Sequence, residues 1–350
     1  MNVIIRADAS IHIGSGHVMR CLVLAAALKE KGHVVSFVCR TQSGNMIEFI
    51  RQHNIDVIAL EEVTPLINPN NDADYLGWLQ CSVEKDAIDF LSQIKKADIV
   101  ITDHYAIGCE WQTIIFNKLN CRIVAIDDLN REHNADLIID QNLWLNLEDR
   151  YSNCNGRKLL GPKYALLRPS FKNLRESSHK LKDQVIAFFG GNDLTKECFK
   201  LVKALSVCSD LPFTVIVVAG RSNPNIIELQ QISKDINVNV VSYLDNFDIE
   251  LRQSKYAIGA SGVSNWERFC LQVPSSVVSV AENQIELSEY LSELGVIRYL
   301  GNSNETTEYT YLDELAYLKS DWFNISKTNF VEVDGLGVDY VVDEISKIKL

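Results

Sequence analysis

The chain has no Cys-x-x-Cys pair, although nine cysteines are scattered over its 350 residues. An odd, unpatterned set argues against a disulfide framework or a zinc site and reads as reduced thiols. Basic charge is also short. The formal net charge is −12 at pH 7, so neither a nucleic-acid partner nor insertion at an anionic membrane surface is expected. No apolar run could span a bilayer, and the first apolar stretch is short and broken by Arg6 and Asp8. Neither a transmembrane segment nor a signal peptide is expected, and the protein is placed in the cytoplasm. No short internal repeat is visible. Asp127-Asp128 stands at a strand end without a histidine at ligand spacing or a second acidic cluster, so no metal and no cofactor are expected. An anionic small ligand would have to be met by local arginines and helix N-termini.

What is present is an alternation of two periodicities. Strands are expected at 2–7, 34–39, 56–60, 98–102, 122–126 and 136–139, with helical patterns at 18–31, 44–53, 83–96 and 110–119 between them. This implies βαβ units and a parallel sheet covered on both faces. A charged stretch without apolar period, 169–182, reads as a linker. A second series follows, with strands at 184–189, 213–219, 238–241, 255–258 and 274–280, and helices at 194–207, from Asn265, and at 285–294. The expected class is therefore α/β, with two doubly wound Rossmann-like domains facing across a cleft and ligands at the C-terminal strand ends. The first domain is expected over 1–168 and the second over 183–350. A last helix near 337–347 is free to pack back on the first domain. The polar loop 68–75 reads as a lid or substrate edge, or simply as solvated surface.

Four loops stand at expected C-terminal strand ends: 9–17, 190–193, 259–264 and 281–284. The first, with Gly14 and Gly16, opens a helix and delivers His17 to its mouth. A glycine loop at a helix N-terminus receives phosphate or another anion, and histidine can accept a proton near neutral pH. Without that role, His17 is a polar residue in a first helical turn. A dinucleotide fingerprint is disfavoured, because Met19 replaces the third glycine and the second strand ends at Arg40 rather than an acid. Gly190 and Gly191 form the second loop. In the third, Gly262, Val263 and Ser264 offer backbone amides to a diphosphate. Glu267, a turn further, could accept hydrogen bonds from two ribose hydroxyls, or merely complement the helix dipole. Arg268 is read as solvent-facing.

These blocks carry a resemblance. The run 14–21 (Gly-Ser-Gly-His-Val-Met-Arg-Cys), Asp127-Asp128-Leu129, Ile139-Asp140-Gln141-Asn142, the stretch 160–169, Phe189 to Asp193, Ala257 to Gly262, Trp266-Glu267-Arg268 and Asn283-Gln284 resemble the nucleotide-sugar hydrolases of pseudaminic acid biosynthesis. They occur in the right order over nearly the whole chain. Asp140 stands where the family often has asparagine, and Asn265 where threonine is common, which leaves the exact sugar open. The resemblance implies a GT-B-like fold and hydrolysis of a UDP-linked 2,4-diacetamido-2,4,6-trideoxy sugar to free sugar and UDP. It implies His17 as general base, UDP on the C-terminal domain, and Asn283 and Gln284 at the sugar–phosphate junction. Asp8 is expected to orient His17, directly or through water, with Arg6 and Arg20 supplying positive field. Other enzymes of the same sugar pathway are candidate partners. A glycosyltransferase of the same fold and an inert nucleotide-sugar binding protein are the competing readings.

Overall fold

Two parallel sheets organise the chain, and the reason lies in which residues each strand buries. The computed structural model describes residues 1–221, 223–236, 238–325 and 329–350. Strand β1 (Asn2–Ala7) buries both faces, as expected of a strand between helical layers. Val3, Ile5 and Ala7 enter one core with Leu24 and Leu28 of the helix Gly16–Glu30. Ile4 points the other way, into a core with Phe90 and Trp111.

The first sheet contains β1, β2 (Val34–Arg40), β3 (Asp56–Leu60), β4 (Ile99–Asp103), β5 (Arg122–Ile126), β6 (Leu137–Asp140) and β7 (Arg157–Leu160). Among the described residues its order is β3-β2-β1-β4-β5-β6-β7, all parallel. The second holds β8 (Lys182–Phe188), β9 (Thr214–Val218), β10 (Val238–Val241), β11 (Ser254–Ala260), β12 (Ser275–Ser279) and β13 (Arg298–Asn302). Its order is β10-β9-β8-β11-β12-β13, again parallel. Each sheet is doubly wound and reverses direction once, between β1 and β4 and between β8 and β11. At such switch points the loops leave in opposite directions and open a crevice at the carboxyl ends of the strands.

The chain divides into two compact units, Met1–Arg168 with Leu336–Leu350, and Pro169–Gly335. In the last helix, Gly337–Ser346, the residues Val338, Val341, Val342 and Ile345 repeat at helical spacing. They enter the core of the first unit. The stretch read as a linker is largely a helix, Pro169–Glu176. Proline is tolerated at its first position, and one fully buried residue, Phe171, anchors it. Arg175 donates to the Cys270 carbonyl at 2.9 Å and Arg252 to the Leu174 carbonyl at 3.0 Å, so the segment is packed into the second unit. Among the described residues no helix is long and apolar enough to cross a membrane.

Candidate active site

At the first switch point, β1 runs into a turn closed by the Gly14 amide on the Ser10 carbonyl, at 2.9 Å. Gly14 adopts φ +76°, a left-handed conformation that a side chain would strain. The helix then starts at Gly16, and His17 sits in its first turn. Strand β4 ends beside it at Asp103. His17 Nδ1 lies 2.6 Å from Asp103 Oδ1. Arg20, one turn along the same helix, donates Nε to Oδ2 at 2.7 Å and Nη2 to Oδ1 at 2.6 Å. The Cys21 thiol donates to Oδ2 at 3.2 Å. Burial opposes a charge on Asp103, but Arg20 and His17 outweigh it and hold the carboxyl well below its usual range. An ionised carboxylate at this distance favours the His17 proton on Nδ1, a tautomer that leaves the Nε2 lone pair able to accept a proton. The ring edge of His17 meets Tyr105, with centroids 4.6 Å apart. Tyr105 in turn packs with Tyr75 and Trp78. The polar loop 68–75 thus ends by placing Tyr75 against Tyr105, the ring that meets the histidine.

Two expectations are corrected here. Asp8 does not hold His17. It accepts from Arg6 at 2.5 and 2.8 Å and from the Arg40 amide at 2.7 Å. Arg6 is completely buried between Asp8 and Asp86. Asp86 also takes Arg40 and the Trp111 indole. The positive charge of Arg6 is consumed inside this network, and Arg20 is likewise committed to Asp103, so neither offers a free field. The carboxylate that touches His17 is Asp103, at 2.6 Å, a residue that the motifs above do not single out. The signal was an apolar strand ending in Asp103-His104-Tyr105. Asp127 is held by Arg131, with His133 Nε2 3.5 Å from it, a neighbour that ligand spacing did not reveal. Among the described residues no group of three or more His, Cys, Asp or Glu side chains is placed to hold a metal.

At the second switch point the chemistry is backbone chemistry. Gly190 (φ +104°) and Gly191 turn after β8. The carboxylate of Asp193 accepts from the amides of Glu197 and Cys198, starting a helix there rather than at Leu194. After β11, Gly262 takes φ +95° and the helix Val263–Cys270 begins. Ser261 turns inward, and a serine chain joins it to Ser288 at 2.8 Å and on to Ser279 at 3.0 Å. Gln284 anchors the next loop by accepting from the Val280 amide at 3.0 Å. Its Nε2 lies 3.6 Å from where a Cβ on Gly262 would stand. Gly262, Val263, Ser264, Glu267, Asn283 and Gln284 are all partly exposed. Arg268 corrects the reading that made it solvent-facing: it is 4% exposed.

The two parallel α/β units together define a two-domain architecture of the GT-B type. The chain superposes on Acinetobacter baumannii MurG with a TM-score of 0.61 at 15% identity, covering 99% of each chain. It superposes on Staphylococcus aureus MnaA, solved with UDP, with a TM-score of 0.65 at 14% identity, covering 99% and 96%. In sequence it is 26% identical over 304 residues to the UDP-2,4-diacetamido-2,4,6-trideoxy-beta-L-altropyranose hydrolase of Campylobacter jejuni, covering 84% of this chain and 97% of that one. It is 23% identical over 348 residues to the spore coat polysaccharide biosynthesis protein SpsG of Bacillus subtilis, covering 97% and 96%. The resemblance read from the sequence blocks is therefore met by a full-length relative. No family model matches.

Proposed function

We propose that the protein hydrolyses a UDP-linked 2,4-diacetamido-2,4,6-trideoxy sugar at its anomeric carbon, with inversion, in pseudaminic acid biosynthesis. The observation that carries this reading is the His17–Asp103 pair at 2.6 Å, in a chain similar to a hydrolase of that substrate. UDP is assigned to the second unit, with the diphosphate on the Gly259–Ser264 amides and the ribose on Glu267. Asn283 and Gln284 are assigned to the sugar–phosphate junction. Gly14 and Gly16 shape the approach to His17 in the first unit.

In the reaction, water bonds to C1 as the bond from C1 to the UDP oxygen breaks. The water proton passes to His17 Nε2, and Asp103 stabilises the imidazolium that forms. The transition state is oxocarbenium-like, as in inverting glycoside cleavage. Helix N-terminal amides stabilise the charge growing on UDP. The nine cysteines are unpaired, which fits a cytoplasmic pathway enzyme. The test is solvent labelling. In H₂¹⁸O the label should enter the anomeric hydroxyl, and early NMR spectra should show the inverted anomer. Label in the β-phosphate of UDP would overturn the mechanism. A glycosyltransferase reading draws on the fold of the structural neighbours; release of free sugar and UDP without an acceptor argues for the hydrolase.

A further inference from the structure

Arg268 is a buried charge that the chemistry above does not use. It lies in the last turn of the helix Val263–Cys270 and is buried, yet among the described residues it forms no ion pair. The acid that acts on it electrostatically is its chain neighbour Glu267. Its Nη2 donates to the Ala260 carbonyl at 2.9 Å and to Asn265 Oδ1 at 2.5 Å. Its Nε has no hydrogen-bond partner and is buried. Room for the guanidinium comes from Gly259, where a Cβ would stand 3.0 Å from Nη1 and 2.4 Å from the Phe188 carbonyl. Burial lowers its pKa to about 10, partly offset by Glu267, so it stays cationic at neutral pH. The buried arginines at the first unit's strand ends are matched by carboxylates. Arg252, buried in the second unit without an ion pair among the described residues, is held by the carbonyls of Leu174, Leu271 and Arg175, whereas Arg268 keeps a buried Nε without a partner. A buried cation without a counter-ion, and with one donor unpartnered, is costly, and an anionic ligand would offset that cost.

We propose that Arg268 is a positioning residue for an anionic ligand: it braces the 259–264 loop from beneath through Ala260 and Asn265, and its uncompensated charge selects a nucleoside diphosphate over an uncharged nucleoside. The inference rests on the functional reading above, which puts a diphosphate on that loop. It adds a source of the site's preference for charge besides the helix amides.

The experiment measures UDP and uridine affinity by calorimetry in the full chain. Arg268→Gln removes the charge but keeps a polar donor. Arg268→Lys keeps the charge. Asn265→Asp puts a carboxylate where the amide oxygen now touches Nη2, supplying the missing counter-ion in place. Arg268→Gln and Asn265→Asp should each weaken UDP at least tenfold while uridine changes less than threefold. Arg268→Lys should keep UDP within about threefold. A merely structural role would weaken UDP and uridine in parallel, with a matching fall in thermal stability, and that result overturns the inference. Because Asn265→Asp completes a buried pair, it tests the charge even if Arg268→Gln does not fold. If UDP preference over uridine survives both neutralising changes, the inference alone fails. If the wild type does not bind UDP, both the inference and the functional reading fail.

Discussion

The two switch points solve different problems with the same topology. In the first unit the strand ends are dense with charge, and nearly every charge is matched: Arg6 with Asp8 and Asp86, Arg20 with Asp103, Arg40 with Asp86 and Asp89. In the second unit the strand ends are richer in glycine, alanine and serine, and Arg268, which packs under one of these loops through the Ala260 carbonyl, forms no ion pair among the described residues. A matched network attracts no ligand anion, but it holds a side chain in one orientation and one tautomer, as a base requires. A backbone loop with residual positive charge suits a phosphate, which is bound by amide dipoles and needs little geometry from side chains. This contrast fits the proposed division, with proton chemistry on the first unit and the nucleotide on the second.

The sharpest break in that comparison is at His17. His17→Asn should lower turnover by about 10²–10⁴-fold, the usual loss on removing a general base, while UDP affinity stays near normal. Turnover within a few-fold of wild type would remove His17 from the role. Asp103→Asn should come next, at up to about 10⁴-fold, because the base survives but its proton is no longer fixed on Nδ1. The discriminating readout is the pH–rate profile. Its acidic limb, where a general base becomes protonated and inactive, should move in Asp103→Asn, whereas a change of stability alone would leave its shape intact.

Much of this was legible beforehand, for reasons tied to particular residues. Strand β1 declares itself because both its faces are apolar. The loops at Gly14 and Gly262 declare themselves because glycine alone takes those positive φ values without strain. Three things were hidden. The helix Pro169–Glu176 carries few apolar residues, so its anchor Phe171 sets no visible period. The partner of His17 comes from β4, 86 residues away. Sequence proximity favoured Asp8, whose place in β1's extension lends it to Arg6 and Arg40 instead. Arg268 looked exposed because an arginine without a nearby acid is normally solvated; burial beneath Gly259 leaves no mark in the chain.

A smaller effect is expected where the comparison predicts binding without chemistry. Glu267→Ala should weaken UDP by about 1.5–3 kcal/mol for each ribose hydroxyl bond lost, roughly tenfold or more, with little change in the rate of the saturated complex. Unchanged UDP affinity would reduce Glu267 to a helix-dipole residue and leave the nucleotide site misplaced.

The last and smallest effect is on stability against pH, and here the two units should part. In the first, burial opposes the charge on Asp86, Asp103 and Asp127, but their arginines win and hold all three well below the ordinary carboxylate range. A depressed pKa contributes stability that is present above the unfolded value, near 4, and is lost as pH falls below it. Asp193 in the second unit has the opposite sign. Burial raises it to about 6 despite the two amides it accepts from, so its contribution is present below about 4 and fades as pH rises through 6. Asp140 in the first unit, raised to about 7 chiefly by burial, acts in the same sense as Asp193. Between pH 7 and 5 both raised groups gain protons and the depressed ones do not, so neither unit should weaken. Below pH 4 the first unit loses ion pairs that are buried on both sides, whereas each described pair of the second unit has at least one partly exposed partner, as in Lys182–Glu250 and Arg298–Glu314, and contributes less. Hydrogen exchange corrected for intrinsic rate should therefore show β1 and β4 losing protection near pH 3 while β8 and β11 keep theirs. Loss in both units together, or in β8 and β11 first, would mean that the matched charges of the first unit do not stabilise it and are retained only to orient His17.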